Sequence, residues 1–105
     1  MQVEVRGRAL RVTKALREYV QRRIDFALDR FWPRVERVTV RLIDSADGRT
    51  EGMTCSISAS GGGLPPHIVA VRGEDLYSAI DTAAGRLGRQ VARTLDRRTT
   101  AMRMS

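Results

Sequence analysis

The chain is poor in the residues from which most catalytic and metal sites are built. Its 105 residues include one cysteine, one histidine and one tryptophan. A lone cysteine, Cys55, cannot close an internal disulfide, which fits a reducing compartment and an expected cytoplasmic location. His67 stands beside Pro66 with no cysteine or second histidine at ligand spacing, which argues against a zinc site. No run of about 18 apolar residues is present, so no membrane span is expected. The chain opens as Met1-Gln2-Val3-Glu4-Val5 without the apolar stretch of a secretion signal, so export is not expected either. Gly61-Gly62-Gly63 matches neither phosphate-loop nor dinucleotide-loop spacing, and a strand follows it; a hairpin connection is the simpler reading. The helical carboxylates alternate with arginines or sit in first turns. No acid–base pair or activated nucleophile emerges, so no catalysis, cofactor or metal is expected.

Lysine is nearly missing as well. Of 19 basic residues 18 are arginine, and twelve acidic residues leave a net charge of +7. A pI of about 11.1 favours polyanionic partners. Guanidinium groups suit phosphate because their planar fork donates two hydrogen bonds at once. Composition alone does not separate this from coding bias, so the placement of the arginines has to decide.

Val3 and Val5 alternate with Gln2, Glu4 and Arg6 as in a half-buried strand. Thr13 is a suitable N-cap for a helix from Lys14 to Phe31, whose apolar residues Leu16, Val20, Ile24, Ala27, Leu28 and Phe31 keep a helical period. Pro33 stops it. Val38, Val40 and Leu42 form a second strand, Asp44 to Arg49 a turn, and Met53, Cys55, Ile57 and Ala59 the inward side of a third. That alternation makes Cys55 a core residue rather than a reactive thiol. Residues 61–66 read as a loop and 68–71 as a short fourth strand. A long amphipathic helix from about Glu74 to Arg98 carries Leu76, Ile80, Ala83, Leu87 and Val91 on one arc, and 99–105 read as a disordered tail. The expected fold is α+β. It is one domain over 1–98, a two-layer β-α-β-β-β-α sandwich with both helices on one face of a four-stranded sheet.

Ideal helical geometry puts Arg86, Arg93 and Arg97 within about 40° of one another, with Arg89 nearby. On the first helix Arg23 and Arg30 flank the apolar seam beside Tyr19 and Phe26, with Arg22 slightly further round. Either row alone would be an ordinary solvated face. Two rows on one helix layer form a basic surface with interleaved aromatics that neutralises phosphates. Helix-turn-helix, zinc-finger and zipper spacings are missing, so sequence-specific DNA reading is not expected. Folded RNA, read by shape and backbone, suits a rigid two-helix face.

The segment Ala15-Leu16-Arg17-Glu18-Tyr19-Val20 after a threonine cap resembles the opening helix of the ribosome hibernation promoting factor family. That family includes ribosome-associated inhibitor A (protein Y) and was earlier described as modulators of sigma-54. Asp75-Leu76-Tyr77-Ser78-Ala79-Ile80-Asp81 and Arg86-Leu87-Gly88-Arg89-Gln90 resemble the two halves of its last helix. The resemblance spans residues 2–98 and implies the same element order. It also implies a stress-linked translation inhibitor on 16S rRNA of the small ribosomal subunit, near the mRNA and tRNA sites, acting by steric occupancy. The partner would be the ribosome, with no membrane and no DNA, and the protein a monomer there or a weak dimer. The resemblance places rRNA contacts at Arg23, Arg86, Arg89 and Arg93, and the wheel extends them to Arg22, Arg30 and Arg97. The alternative is a protein-interaction module that regulates transcription. Gly85 and Gly88 depart from the pattern: they either loosen the last helix or permit a close approach to rRNA or to the first helix. A short form is expected, without the additional domain of long family members, and the 44–52 region is shorter and less charged than the resemblance implies.

Overall fold

The computed structural model describes residues 1–44 and 52–104, with side chains described through Arg97. The turn expected after Asp44 therefore lies outside the described residues. The elements run β1 (Gln2–Arg8), α1 (Lys14–Ala27), β2 (Arg37–Asp44), β3 (Met53–Gly61), β4 (Leu64–Gly73) and α2 (Leu76–Met104), with a short 3-10 helix at Trp32–Arg34. The sheet has the order β1-β2-β3-β4. β1 and β2 are parallel, with Val5 opposite Val40, because α1 carries the chain back between them. The other two pairings are antiparallel.

Strand alternation supplies one wall of the core. Val5, Val38, Val40, Leu42, Cys55, Ile57, Ala59, Val69 and Val71 point inward and are buried. Leu16, Val20, Ile24 and Leu28 of the α1 region and Ile80, Ala84, Leu87, Val91 and Leu95 of α2 supply the other wall. Both helices thus cover one sheet face, as their patterns require. Fully burying each aliphatic side chain contributes about 1.5–3 kcal/mol. Among the described residues no polar or charged residue is fully buried.

Both helices are capped at the start by side chains. The Thr13 Oγ1 accepts from the Leu16 amide at 3.1 Å. Asp75 does the same for α2: its carboxylate accepts from the Ser78 amide at 2.8 Å and the Ser78 hydroxyl at 2.9 Å. These two donors hold the Asp75 carboxyl below the ordinary aspartate range.

The ends of β1, α1, β4 and α2 differ from the sequence reading, and Gly7, read as a strand breaker, lies within β1. α1 stops at Ala27, not Phe31, and Leu28 is its C-cap at φ −110° and ψ 19°. Continuing the helix through Pro33 would drive the ring into a backbone carbonyl, so the chain leaves α geometry early. Tight turns follow, with the Phe31 amide donating to Leu28 O and the Val35 amide to Trp32 O. β4 has 10 residues and takes in Pro65 and Pro66, which the sequence assigned to a loop. It is an edge strand, where a missing N–H can face solvent without breaking the ladder. The connection from β3 is a tight turn at Gly62-Gly63, with Gly63 at φ 86°, the region that favours glycine. α2 continues to Met104, past the Arg98 end read from periodicity.

Candidate nucleic-acid interface

The helix layer turns its outer surface to solvent, and the arginines lie there. Arg22 and Arg30 on the α1 side, and Arg86, Arg89, Arg93 and Arg97 on α2, are exposed. Arg23 is the exception. It is half-buried between the helices, its Nε 2.9 Å from Asp81 Oδ1 of α2. That N–H makes no hydrogen bond among the described residues, so the contact is an ion pair without hydrogen-bond alignment. The same Asp81 oxygen is taken by the Tyr19 hydroxyl, which donates to it. This bond raises the Tyr19 pKa above the ordinary tyrosine value. Tyr19 also meets Tyr77 edge-on, with ring centroids 4.8 Å apart. One acidic residue therefore ties α1 to α2 through two side chains.

Further along, the helices close on each other at Gly88. A Cβ there would stand 2.8 Å from the Ala27 carbonyl oxygen, closer than side-chain carbons approach backbone. Of the two roles left open for this glycine, the structure shows the close approach to the first helix. Gly85 differs: a Cβ there meets only Arg89 Nη1, at 3.5 Å.

The structure brings Arg23, Arg30 and Arg89 together around one cleft between the helices. Arg86, Arg93 and Arg97 do not line it. They follow one another on the outward surface of α2, on the side away from α1, within about 40° of one another on the wheel. Arg22 points outward from α1. Arg23, Arg30 and Arg89 thus share one cleft, while Arg86, Arg93 and Arg97 form a row of their own along α2. Among the described residues Arg22, Arg30, Arg86, Arg89 and Arg93 are in ion pairs with no carboxylate.

The remaining chemistry-bearing residues are structural. His67 bridges β4 to α2: Nδ1 lies 2.7 Å from Pro65 O and Nε2 2.9 Å from Thr94 Oγ1. A carbonyl only accepts, so Nδ1 donates to it, and the Thr94 hydroxyl, which can donate or accept, partners Nε2. Cys55 is fully buried, and burial pushes its thiol pKa up to about 12. The sequence reading missed a second group of arginines. Arg6, Arg37, Arg41 and Arg72 project from the sheet face opposite the helices, all exposed. Arg6 Nε donates to Glu4 at 2.8 Å, and with Arg37 and Arg41 nearby the Glu4 carboxyl is held below its usual range. The signal was present in strand alternation, which sends Arg6 and Arg41 to the face opposite Val5 and Val40.

Residues 3–99 match the family described as Sigma 54 modulation protein / S30EA ribosomal protein. The chain belongs to this family. It is 33% identical over 91 residues to the ribosome hibernation promoting factor of Azotobacter vinelandii, covering 87% of this chain and 79% of that one. The Escherichia coli K12 ribosome hibernation promoting factor is 30% identical over 98 residues, 92% of this chain and 96% of that protein. Among solved structures, the Thermus thermophilus protein Y N-terminal domain superposes with a TM-score of 0.76 at 29% identity, covering 90% and 99% of the two chains. A ribosomal subunit interface protein from Coxiella burnetii shares the fold at TM-score 0.76 and 12% identity, covering 91% and 99%. The family's fold and this chain's β-α-β-β-β-α order agree, and no helix among the described residues is long and apolar enough to cross a membrane.

Proposed function

We propose that the protein is a ribosome hibernation factor that binds 16S rRNA of the small subunit near the mRNA and tRNA sites. It silences translation in the cytoplasm by occupying that space, without turnover. The observation that carries the reading is the outward cationic surface of α1 and α2, in a chain whose relatives are named ribosome hibernation promoting factors. Phosphate neutralisation by Arg22, Arg30, Arg86, Arg89, Arg93 and Arg97 supplies affinity without base-specific chemistry. Arg23 acts beside them while shared with Asp81. The sheet face is also cationic, but no aromatic side chain stands among its arginines. Aromatics are what RNA-binding surfaces use to hold unpaired bases.

The test is co-sedimentation with 30S and 70S particles at low and high salt. Binding at low salt that weakens as salt rises is expected, and no binding at low salt overturns the reading. Arg86→Glu with Arg93→Glu should abolish the low-salt binding, and Arg86→Ala alone should weaken it and reduce the salt slope by about 1. Arg37→Glu with Arg41→Glu, on the sheet face, should leave most of it. The sigma-54 name in the family description suggests an alternative, an acidic protein partner involved in transcription. Nuclease-resistant capture of a transcription factor, without ribosomes, would favour it.

A further inference from the structure

The cleft between α1 and α2 has a volume of about 480 Å³, within the range of small-ligand sites. Its origin is local. Gly88 lets the helices close against Ala27, and Gly85 leaves out the side chain that would fill the adjoining space. Phe26 lies in this cleft and is 77% exposed, an unusual position for a large aromatic ring. The Arg23 guanidinium sits 5.7 Å from the Phe26 ring centroid, and Arg30 sits 5.0 Å from that of Phe31. Aromatic rings and guanidinium planes are the two kinds of flat side-chain surface on which nucleobases stack. Three arginines, Arg23, Arg30 and Arg89, line the cleft against the single carboxylate of Asp29. The complementary ligand has a flat apolar part and a negative charge beside it.

We propose that the cleft takes one unstacked nucleobase of the bound RNA, stacked on Phe26, with the adjoining phosphates held by Arg30 and Arg89. This rests on the RNA-binding reading above and adds to it a site for a single flipped-out nucleotide. Asp29 lines the same cleft and gives it one carboxylate that can accept from a base N–H. Phosphate contacts along the outer arginines then fix register, and the cleft selects an unpaired base at one point.

The test uses two RNA hairpins of equal length, one fully paired and one with a single bulged 2-aminopurine. The wild-type protein should bind the bulged hairpin about 5- to 150-fold more tightly, the equivalent of one base stacked on an aromatic ring. The 2-aminopurine fluorescence should change on binding. Phe26→Ala should erase the preference and the fluorescence change while keeping affinity for the paired hairpin. Gly85→Leu, which fills the cleft from the other helix, should do the same. Folding of both variants is checked by circular dichroism. A folded Phe26→Ala protein that keeps the preference overturns the inference. Salt-sensitive binding of both hairpins with equal affinity also overturns it but leaves the RNA-binding reading standing. Failure to bind either hairpin at low salt also overturns the inference, and co-sedimentation with 30S particles then decides the RNA-binding reading separately.

Discussion

The Ala27 carbonyl oxygen lies 2.8 Å from where the first side-chain carbon would stand at position 88. The obstacle is backbone, which cannot rotate away. Glycine at this point of α2 is therefore required by the packing of the two helices, at a cost of about 1 kcal/mol in helix propensity. Gly88→Ala should lower stability by about 1–3 kcal/mol, the overpacking range. Gly85→Ala should raise it by about 0.5–1 kcal/mol, because the only neighbour is the flexible end of Arg89. Urea denaturation of both variants checks the opposite signs. Two variants shifting the same way would contradict the packing argument.

Asp81 anchors Tyr19 and Arg23, so its removal should act on stability and on affinity in opposite directions. The Arg23 and Asp81 side chains are 31% and 46% exposed, and the ion pair is discounted for solvent screening. Asp81→Ala should cost about 1 kcal/mol, mostly from the lost Tyr19 hydrogen bond. It should also strengthen RNA binding, since Arg23 is no longer neutralised. Filter binding beside thermal melting measures the two effects.

Two titrations on opposite sides of neutral report on the helices. The Asp75 carboxyl has a lowered pKa in the fold, so its stabilisation is present above the ordinary aspartate value. It is lost as pH falls through the lower folded value. Asp75→Ala should lower the Tm at neutral pH, and the gap to wild type should close in acid. Asp75→Asn should keep a cap whose strength no longer depends on pH. Tyr19 has the reverse sign. Its raised pKa means that its contribution is present below the ordinary tyrosine value and fades as pH rises through the higher folded value. Tyr19→Phe should remove that part of the alkaline loss.

Cys55 should be inert in the native protein. Its thiol is fully buried with a pKa pushed up to about 12, so almost no thiolate exists near neutral pH. A thiol reagent should label it only when denaturant unfolds the chain, and rapid labelling under native conditions would place it outside the core. Cys55→Ser should cost about 1–3 kcal/mol by burying a hydroxyl among Leu42, Ile57 and their neighbours.

The sequence by itself determined the element order, the Thr13 cap and which residues of each strand and helix face the core. Those features follow from short-range rules, the periods of 2 and 3.6 and the side chains that satisfy a helix's first amides. It also placed the arginines on the flanks of each helix's apolar seam. Only the tertiary structure decided what each flank meets. Periodicity gives direction relative to an element's own axis, and which side adjoins a neighbour depends on how two elements pack. So Arg23, read with the exposed row, proved to be shared with Asp81, which is far from it in sequence but beside it across the helix interface. Gly88 has its reason in Ala27 of another helix, and Pro65 and Pro66 fit a strand only because β4 lies at the sheet edge. The cleft around Phe26 is of the same kind. Its two glycines, its exposed ring and its arginines come from segments that only the meeting of α1 and α2 brings into one place.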